Sequence, residues 1–112
     1  MPIRVLLADD HPIVREGVKT LLEREGFDVI GEASDGREAV LLAQTLRPDV
    51  AVLDLSMPLL NGLLAGQEIL HVSPRTKPIL LTMHVEDHYV LHALRIGMRG
   101  YVVKRQAGVE LV

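Results

Sequence analysis

The chain of 112 residues contains no cysteine and no tryptophan, and its only aromatic residues are one phenylalanine and two tyrosines. Without cysteine it cannot form disulfides, a thiolate zinc site or a cysteine nucleophile, which fits a reducing cytosol. With so few aromatic side chains, a surface that stacks on nucleic-acid bases is not expected.

Neither sign of charge dominates the sequence. Lys and Arg number 12 and Asp and Glu 15, a net charge of −3, so bulk electrostatics do not indicate nucleic-acid binding. No apolar run reaches about 20 residues, the length of a membrane-spanning helix, and the N-terminal MPIRVLLADD lacks the apolar core of a signal peptide. The length suits one domain, and we expect a soluble cytoplasmic one.

Apolar runs with strand character alternate with segments of helical spacing. The predicted strands are residues 3–8, 28–33, 50–55, 79–82 and 101–103, and the predicted helices are 12–25, 35–46, 64–71 and 86–96. Several strand runs are almost continuously apolar, as in parallel strands covered on both faces. This alternation predicts an α/β fold with right-handed crossovers.

The first two helices have recognisable inner faces and ends. An apolar stripe is predicted to face the core in the first helix, formed by Ile13, Val14, Gly17, Val18, Leu21 and Leu22, and another in the second, formed by Ala39, Val40, Leu42 and Ala43. Pro12 suits the first helical turn and Gly26 the left-handed position after the last. Residues 104–112 are expected to begin a fifth helix that is cut short.

Polar side chains lie at or just after the ends of four of the predicted strands: Asp9 and Asp10, then Asp54 and Ser56, then Thr82, then Lys104. Each alone has an ordinary interpretation as a turn or cap residue, a strand residue or a solvated edge. Ligands of open parallel sheets, however, bind at the carboxyl ends of the strands. Three carboxylates at that edge repel one another, and a hard divalent cation such as Mg²⁺ is the economical explanation for them.

Five motifs occur in a familiar order. They are Asp9-Asp10, the LDLSMP stretch with Asp54, Asn61-Gly62, Thr82, and the run Gly97-x-x-Gly-Tyr-x-x-Lys that ends at Lys104. Along nearly its whole length the chain resembles the receiver domain of two-component response regulators, and ADDHPIVREG, LTMH and GMRGYVVK are similar to the NarL/FixJ subgroup. The resemblance implies one receiver domain over residues 1–112 and a flavodoxin-like, doubly wound, five-stranded parallel sheet of order 2-1-3-4-5.

The resemblance also implies a set of roles around a Mg²⁺ ion. Asp54 is expected to be the nucleophile that takes a phosphoryl group from a phosphohistidine. Asp9, Asp10, Asp54 and the backbone carbonyl of Ser56 are expected to bind the metal.

Two further side chains are implied to contact the phosphoryl group, and one to respond to it. Lys104 and Thr82 would bind phosphoryl oxygens, and Thr82 and Tyr101 would act as a switch that reshapes the face of helix 4, strand 5 and helix 5. The implied partners are a sensor histidine kinase and a second copy through that face. DNA would be reached only through a C-terminal helix-turn-helix domain, usual in the subgroup and not in this sequence. The only reactions that such a domain is expected to catalyse are its own phosphorylation and dephosphorylation.

Some residues depart from the commonest receiver pattern, and other classes compete with this reading. Arg105 stands where many receivers have proline, and Met83 stands where a small residue is common. Ser56 occupies a position that varies among receivers. A phosphatase of the haloacid-dehalogenase type would need a second acid where Ser56 stands. A dinucleotide-binding domain would need glycines after the first strand, and a receiver-like module that is never phosphorylated remains an alternative.

The histidines receive no site role at this level. His84, His88 and His92 recur every four residues, a spacing that could chelate zinc on one helix face. We interpret them instead as part of a partly solvated helix face, because His84 is placed in the loop before the helix and no separate ligand cluster is evident. His11 and His71 are assigned to a loop and a helix end.

Overall fold

The computed structural model of the chain describes residues 2–82, 100–105 and 108–111. For Thr82 and for the two later ranges it describes the backbone and its strand pairing. Its elements are β1 (Arg4–Ala8), α1 (Pro12–Arg24), β2 (Asp28–Ala33), α2 (Gly36–Leu46), β3 (Val50–Asp54), α3 (Gly62–Val72), β4 (Lys77–Thr82), β5 (Gly100–Arg105) and β6 (Gly108–Leu111). The predicted helix 86–96, Met83 and the three histidines at 84, 88 and 92 lie outside the described residues. Within the described part of the chain, no helix has the length and hydropathy needed to cross a membrane.

The sheet has the order β2-β1-β3-β4-β5-β6. Its first five strands are parallel, which confirms the predicted flavodoxin-like order 2-1-3-4-5. β1 therefore lies inside the sheet, between β2 and β3. Helices join the first four strands, as a parallel sheet requires.

The C-terminal residues correct one prediction. Where the sequence suggested the first turn of a fifth helix, Gly108–Leu111 form β6, which runs antiparallel to β5 and pairs Val102 with Leu111 and Lys104 with Val109. Pairing with β5 instead gives their backbone groups partners along a strand that would otherwise present an open edge.

The core has two parts, one on each face of the sheet. α1 packs on one face through Val18 and Leu22, against side chains that include Val5, Leu7, Val52 and Leu81. α2 and α3 cover the other face, whose buried side chains include Leu6, Ala8, Ala39, Ala43, Leu53, Ile69 and Leu80. Successive residues of β1 thus alternate between two apolar layers, which explains why the strand is apolar throughout.

The predicted inner face of α1 is only partly correct. Val18 and Leu22 are buried, but Ile13 is 88% exposed and Leu21 38% exposed. Val14, Val18 and Leu22 are spaced by four and define the centre of the buried stripe, and Ile13 and Leu21 each lie about 100° away around the helix from a member of that stripe. The predicted left-handed residue after the helix, Gly26, has a φ of 87°.

Charged side chains fix both ends of α2. The carboxylate of Asp35 accepts a hydrogen bond of 2.8 Å from the backbone N–H of Glu38, which caps the first turn. At the other end the guanidinium of Arg4 donates to the carbonyls of Leu46, at 2.7 Å, and Arg47, at 2.9 Å. Arg4 of β1 thereby binds the C-terminal end of α2. The predicted inner residues of this helix, Ala39 and Ala43, are buried.

The two-layer core predicts opposite outcomes for one substitution at two isoleucines. Ile69 is fully buried and Ile13 is almost fully exposed. Ile69→Ala is expected to lower the free energy of unfolding by about 2–5 kcal/mol through lost contacts and a cavity. Ile13→Ala is expected to change it by no more than about 0.5 kcal/mol. Urea unfolding followed by circular dichroism measures both.

If Ile69→Ala does not fold, Ile69→Val serves in its place, with an expected loss of about 0.5–1.5 kcal/mol. Equal losses at the two isoleucines would contradict the described orientation of α1.

Candidate functional site

The register of two neighbouring strands brings acidic side chains together. The pairing of β1 with β3 ends at Ala8 and Leu53, so that Asp9 and Asp54 come next on adjacent strands, at the carboxyl edge of the sheet. Both carboxylates are buried, with Asp9 0% and Asp54 3% exposed. The predicted convergence of these acids therefore follows from the order and register of the strands.

Asp10 and His11 complete a cluster of four side chains. One ligand atom from each of Asp9, Asp10, His11 and Asp54 lies within 4.8 Å of all the others. The Nδ1 atom of His11 is 2.9 Å from Oδ1 of Asp10 and 3.4 Å from Oδ1 of Asp9. Sequence reasoning gave His11 no role, although its position between the acidic pair and the helix-starting Pro12 was an available signal.

Asp9 is held in place from three directions. Its backbone N–H donates to the carbonyl of Ala33 at 3.0 Å. Its side-chain Oδ1 accepts from the N–H of His11 at 2.9 Å, and its own carbonyl accepts from the guanidinium of Arg15 at 2.9 Å. The turn from β1 into α1 is thereby fixed through the same residue that contributes a buried carboxylate.

Arg15 is itself oriented by an acidic residue of β2. The two carboxylate oxygens of Glu32 lie 3.3 Å from Nε of Arg15 and 3.3 Å from Nζ of Lys19. The hydrogen bond from Lys19 to Glu32, together with the attraction between their charges, raises the pKa of Lys19 above its ordinary value. Pairs as solvated as these add little stability, so their consequence here is to direct the guanidinium toward the carbonyl of Asp9.

Asp54 ends β3, and the loop that follows it is tightly packed. Its Oδ1 accepts from the backbone N–H of Ser56 at 3.3 Å. The N–H of Gly62 donates to the carbonyl of Leu55 at 3.0 Å. A Cβ atom at Gly62 would collide with the carbonyl oxygen of Asp54, so only glycine lets the start of α3 approach the strand end this closely.

The motif residue Asn61 also has a local structural reason. Its side-chain oxygen accepts from the N–H of Leu64 at 3.0 Å and caps α3, the ordinary role of asparagine at a helix start. The Asn61-Gly62 pair thus begins the helix and seats it against the end of β3.

The remaining predicted residues fall on the neighbouring strands. Asp54 pairs with Leu81, and the next residue, Thr82, pairs with Val103. Lys104 follows Val103, so the backbones of Thr82 and Lys104 come to the same edge of the sheet as Asp54. Tyr101 pairs with Leu80. This pair lies two residues before the pair of Thr82 and Val103 and is therefore further from that edge.

The donor set suits a hard cation. Carboxylate oxygens from Asp9, Asp10 and Asp54 within a few ångströms of one another are the ligands that Mg²⁺ prefers. Negative charges this close repel one another strongly where water is excluded, and a divalent ion offsets that repulsion. The chemistry of the residues present therefore fits a Mg²⁺ site.

Residues 5–112 match the family described as "Response regulator receiver domain". The chain belongs to this family. The receiver domain is 36% identical over 111 residues to the "Transcriptional regulatory protein DegU" of Brevibacillus brevis, an alignment that covers 98% of this chain and 47% of DegU. It thus spans about half the length of the curated relatives that it matches.

Solved receiver structures have the same fold. The "signal receiver domain of the putative response regulator NarL" from Mycobacterium tuberculosis has a TM-score of 0.85 at 37% identity, with 89% of this chain and 82% of that chain covered. A chain of the "CheX-CheY-BeF3-Mg+2 complex" from Borrelia burgdorferi has a TM-score of 0.89 at 26% identity, with 94% and 80% covered. The predicted family and its NarL-type subgroup are confirmed, and nothing supports the phosphatase or dinucleotide-binding alternatives.

Two glycines provide a matched test of how tightly the loop after Asp54 is packed. A Cβ at Gly17, inside α1, would meet nothing within 4 Å, so Gly17→Ala is expected to stabilise the domain by about 0.5–1 kcal/mol through helix propensity. Gly62→Ala is expected to destabilise it by about 1–3 kcal/mol, because the methyl group must displace the carbonyl of Asp54. Urea unfolding would contradict this packing if both variants gained stability.

Proposed function

We propose that this receiver domain accepts a phosphoryl group on Asp54 from a phosphohistidine of a sensor histidine kinase. One observation carries the proposal: the carboxylates of Asp9, Asp10 and Asp54 have ligand atoms within 4.8 Å of one another at the carboxyl edge of the sheet. A carboxylate oxygen of Asp54 forms a bond to phosphorus, the phosphorus–nitrogen bond breaks, and the electron pair returns to the imidazole of the donor histidine.

The proposal includes a Mg²⁺ ion bound by Asp9, Asp10, Asp54 and the backbone carbonyl of Ser56. When bound, this ion reduces the repulsion between the attacking carboxylate and the phosphoryl oxygens. The chemistry of the three carboxylates supports this choice of metal. So does the Borrelia burgdorferi relative, whose structure is described as a complex with BeF3 and Mg²⁺.

Asp54 is suited to the nucleophilic role by its surroundings. It is almost fully buried, it ends a strand that is paired on both sides, and the N–H of Ser56 lies 3.3 Å from its Oδ1. The carboxylate is therefore oriented before the phosphoryl donor arrives, which lowers the entropic cost of reaction.

Lys104 and Thr82 are proposed to bind oxygens of the phosphoryl group. Support comes from the strand register, which brings their backbones to the same sheet edge as Asp54. Thr82 and Tyr101 are proposed to form the switch. Phosphorylation can shift the domain toward an active arrangement only if that arrangement binds the phosphoryl group better than the inactive one.

The output is proposed to be transcriptional. Relatives of this chain are named transcriptional regulatory proteins, and the described domain spans about half of their length. We propose that phosphorylation changes the face that includes β5, where a second copy binds, and that a C-terminal helix-turn-helix domain contacts DNA in the cytoplasm. The receiver domain acts as a signalling module whose only catalysis is its own phosphorylation and dephosphorylation.

Intact-protein mass spectrometry after incubation with acetyl phosphate tests the acceptor. A single phosphoryl adduct is expected with Mg²⁺ and not after chelation with EDTA, since the metal offsets charge repulsion during transfer. The adduct should disappear in Asp54→Ala and persist in Asp28→Ala, which removes an exposed carboxylate at the start of β2.

Two results would count against the proposal. An adduct that survives in Asp54→Ala would place the phosphoryl group on another residue. No adduct on a wild-type sample with a folded circular dichroism spectrum would favour the receiver-like module that is never phosphorylated.

A further inference from the structure

We propose that His11 is an additional ligand of the cation site, through Nδ1, and that it moves the preference of the site from Mg²⁺ toward divalent transition metals that bind nitrogen more strongly, such as Co²⁺. This inference rests on the cation site of the proposed function and adds a donor to it. It starts from the convergence of an imidazole and three carboxylates within 4.8 Å.

The distances around Nδ1 of His11 are those of neighbouring ligand atoms. They are 2.9 Å to Oδ1 of Asp10 and 3.4 Å to Oδ1 of Asp9. Two donors at right angles around an ion with bonds of about 2.1 Å stand about 3.0 Å apart. In a tetrahedral arrangement with bonds of about 2.0 Å they stand about 3.3 Å apart. The imidazole nitrogen is therefore already at ligand spacing from two carboxylates of different residues.

The backbone of His11 is fixed on both sides. Its N–H donates to Oδ1 of Asp9 at 2.9 Å, and its carbonyl accepts from the N–H of Arg15 at 2.9 Å in the first turn of α1. Pro12 restricts the chain that follows. The side chain itself is 64% exposed, so an ion and its remaining waters can reach the nitrogen from solvent.

An imidazole donor changes which metals a site prefers. Mg²⁺ takes oxygen ligands and gains little from nitrogen, whereas affinity for nitrogen-containing sites rises from Mn²⁺ through Co²⁺ to Cu²⁺. A simple ion pair between a protonated His11 and Asp10 would require only one carboxylate. The convergence of all four side chains favours ligation, and the two readings predict different metal affinities.

Isothermal titration calorimetry of the full chain with Mg²⁺ and with Co²⁺ distinguishes them. His11→Ala is expected to weaken Co²⁺ binding by at least about tenfold, as losses around metal ligands do, while Mg²⁺ binding changes by less than about threefold, since oxygen donors dominate it. His71→Ala, which removes an exposed imidazole at the end of α3, should leave both affinities unchanged. His11→Gln provides a second variant if His11→Ala does not fold.

A spectroscopic readout addresses the ligand directly. Pulsed electron paramagnetic resonance of Mn²⁺ at one equivalent should show a nitrogen coupling in the wild type and in His71→Ala, and lose it in His11→Ala. A coupling that persists in His11→Ala would overturn the proposal, as would unchanged Co²⁺ affinity.

Tighter binding of both metals in His11→Ala would also overturn it, because the imidazole would then be a cation that competes with metal. Failure of the wild type to bind Mg²⁺ at all would instead remove the cation site of the proposed function, and this inference with it. If the wild type binds Mg²⁺ but His11→Ala does not weaken Co²⁺ binding, the proposed function stands and only the role of His11 is rejected.

Discussion

Two buried carboxylates lie side by side because β1 pairs with β3 in a register that ends one residue before each of them. Burial removes the water that would screen Asp9 from Asp54, so the arrangement opposes folding on electrostatic grounds. Apolar layers on both faces of the sheet fix the strands and supply the compensating free energy. Three features lie against this pair: glycine at position 62, the guanidinium that donates to the carbonyl of Asp9, and an imidazole beside Asp10.

Much of this arrangement can be predicted from the sequence because the relevant signals are local. A run such as Val5–Ala8 indicates a strand covered on both faces, and an aspartate directly after such a run lies at the carboxyl edge of the sheet. Right-handed crossovers limit the possible strand orders, and the order 2-1-3-4-5 was implied by the resemblance to receiver domains. The pattern of apolar runs and their ends therefore places Asp9 and Asp54 at the same edge of the sheet, and the strand order implied by the resemblance places them side by side.

Features that depend on three-dimensional packing were not predictable in the same way. Glu32 reaches Arg15 from a different strand, and no spacing along the chain connects them. Ile13 satisfies a helical repeat as well as Val14 does, and only the position of α1 over the sheet decides which is buried. Gly108–Leu111 pair with β5 because that edge is available to them, which the local sequence does not encode. His11 acquires its neighbours only after the turn into α1 is formed.

The interior position of β1 has a consequence for the unfolded chain. β1 is synthesised before its partner β3, which begins at Val50, so the run Val5–Ala8 stays unpaired on that side until much of the domain has been made. Short apolar runs of this kind are prone to stack between molecules, and flanking charges oppose such stacking. Arg4 on one side and Asp9 and Asp10 on the other bracket the run. The acids at the carboxyl edge of the sheet thus stand where charge opposes intermolecular stacking of this apolar run.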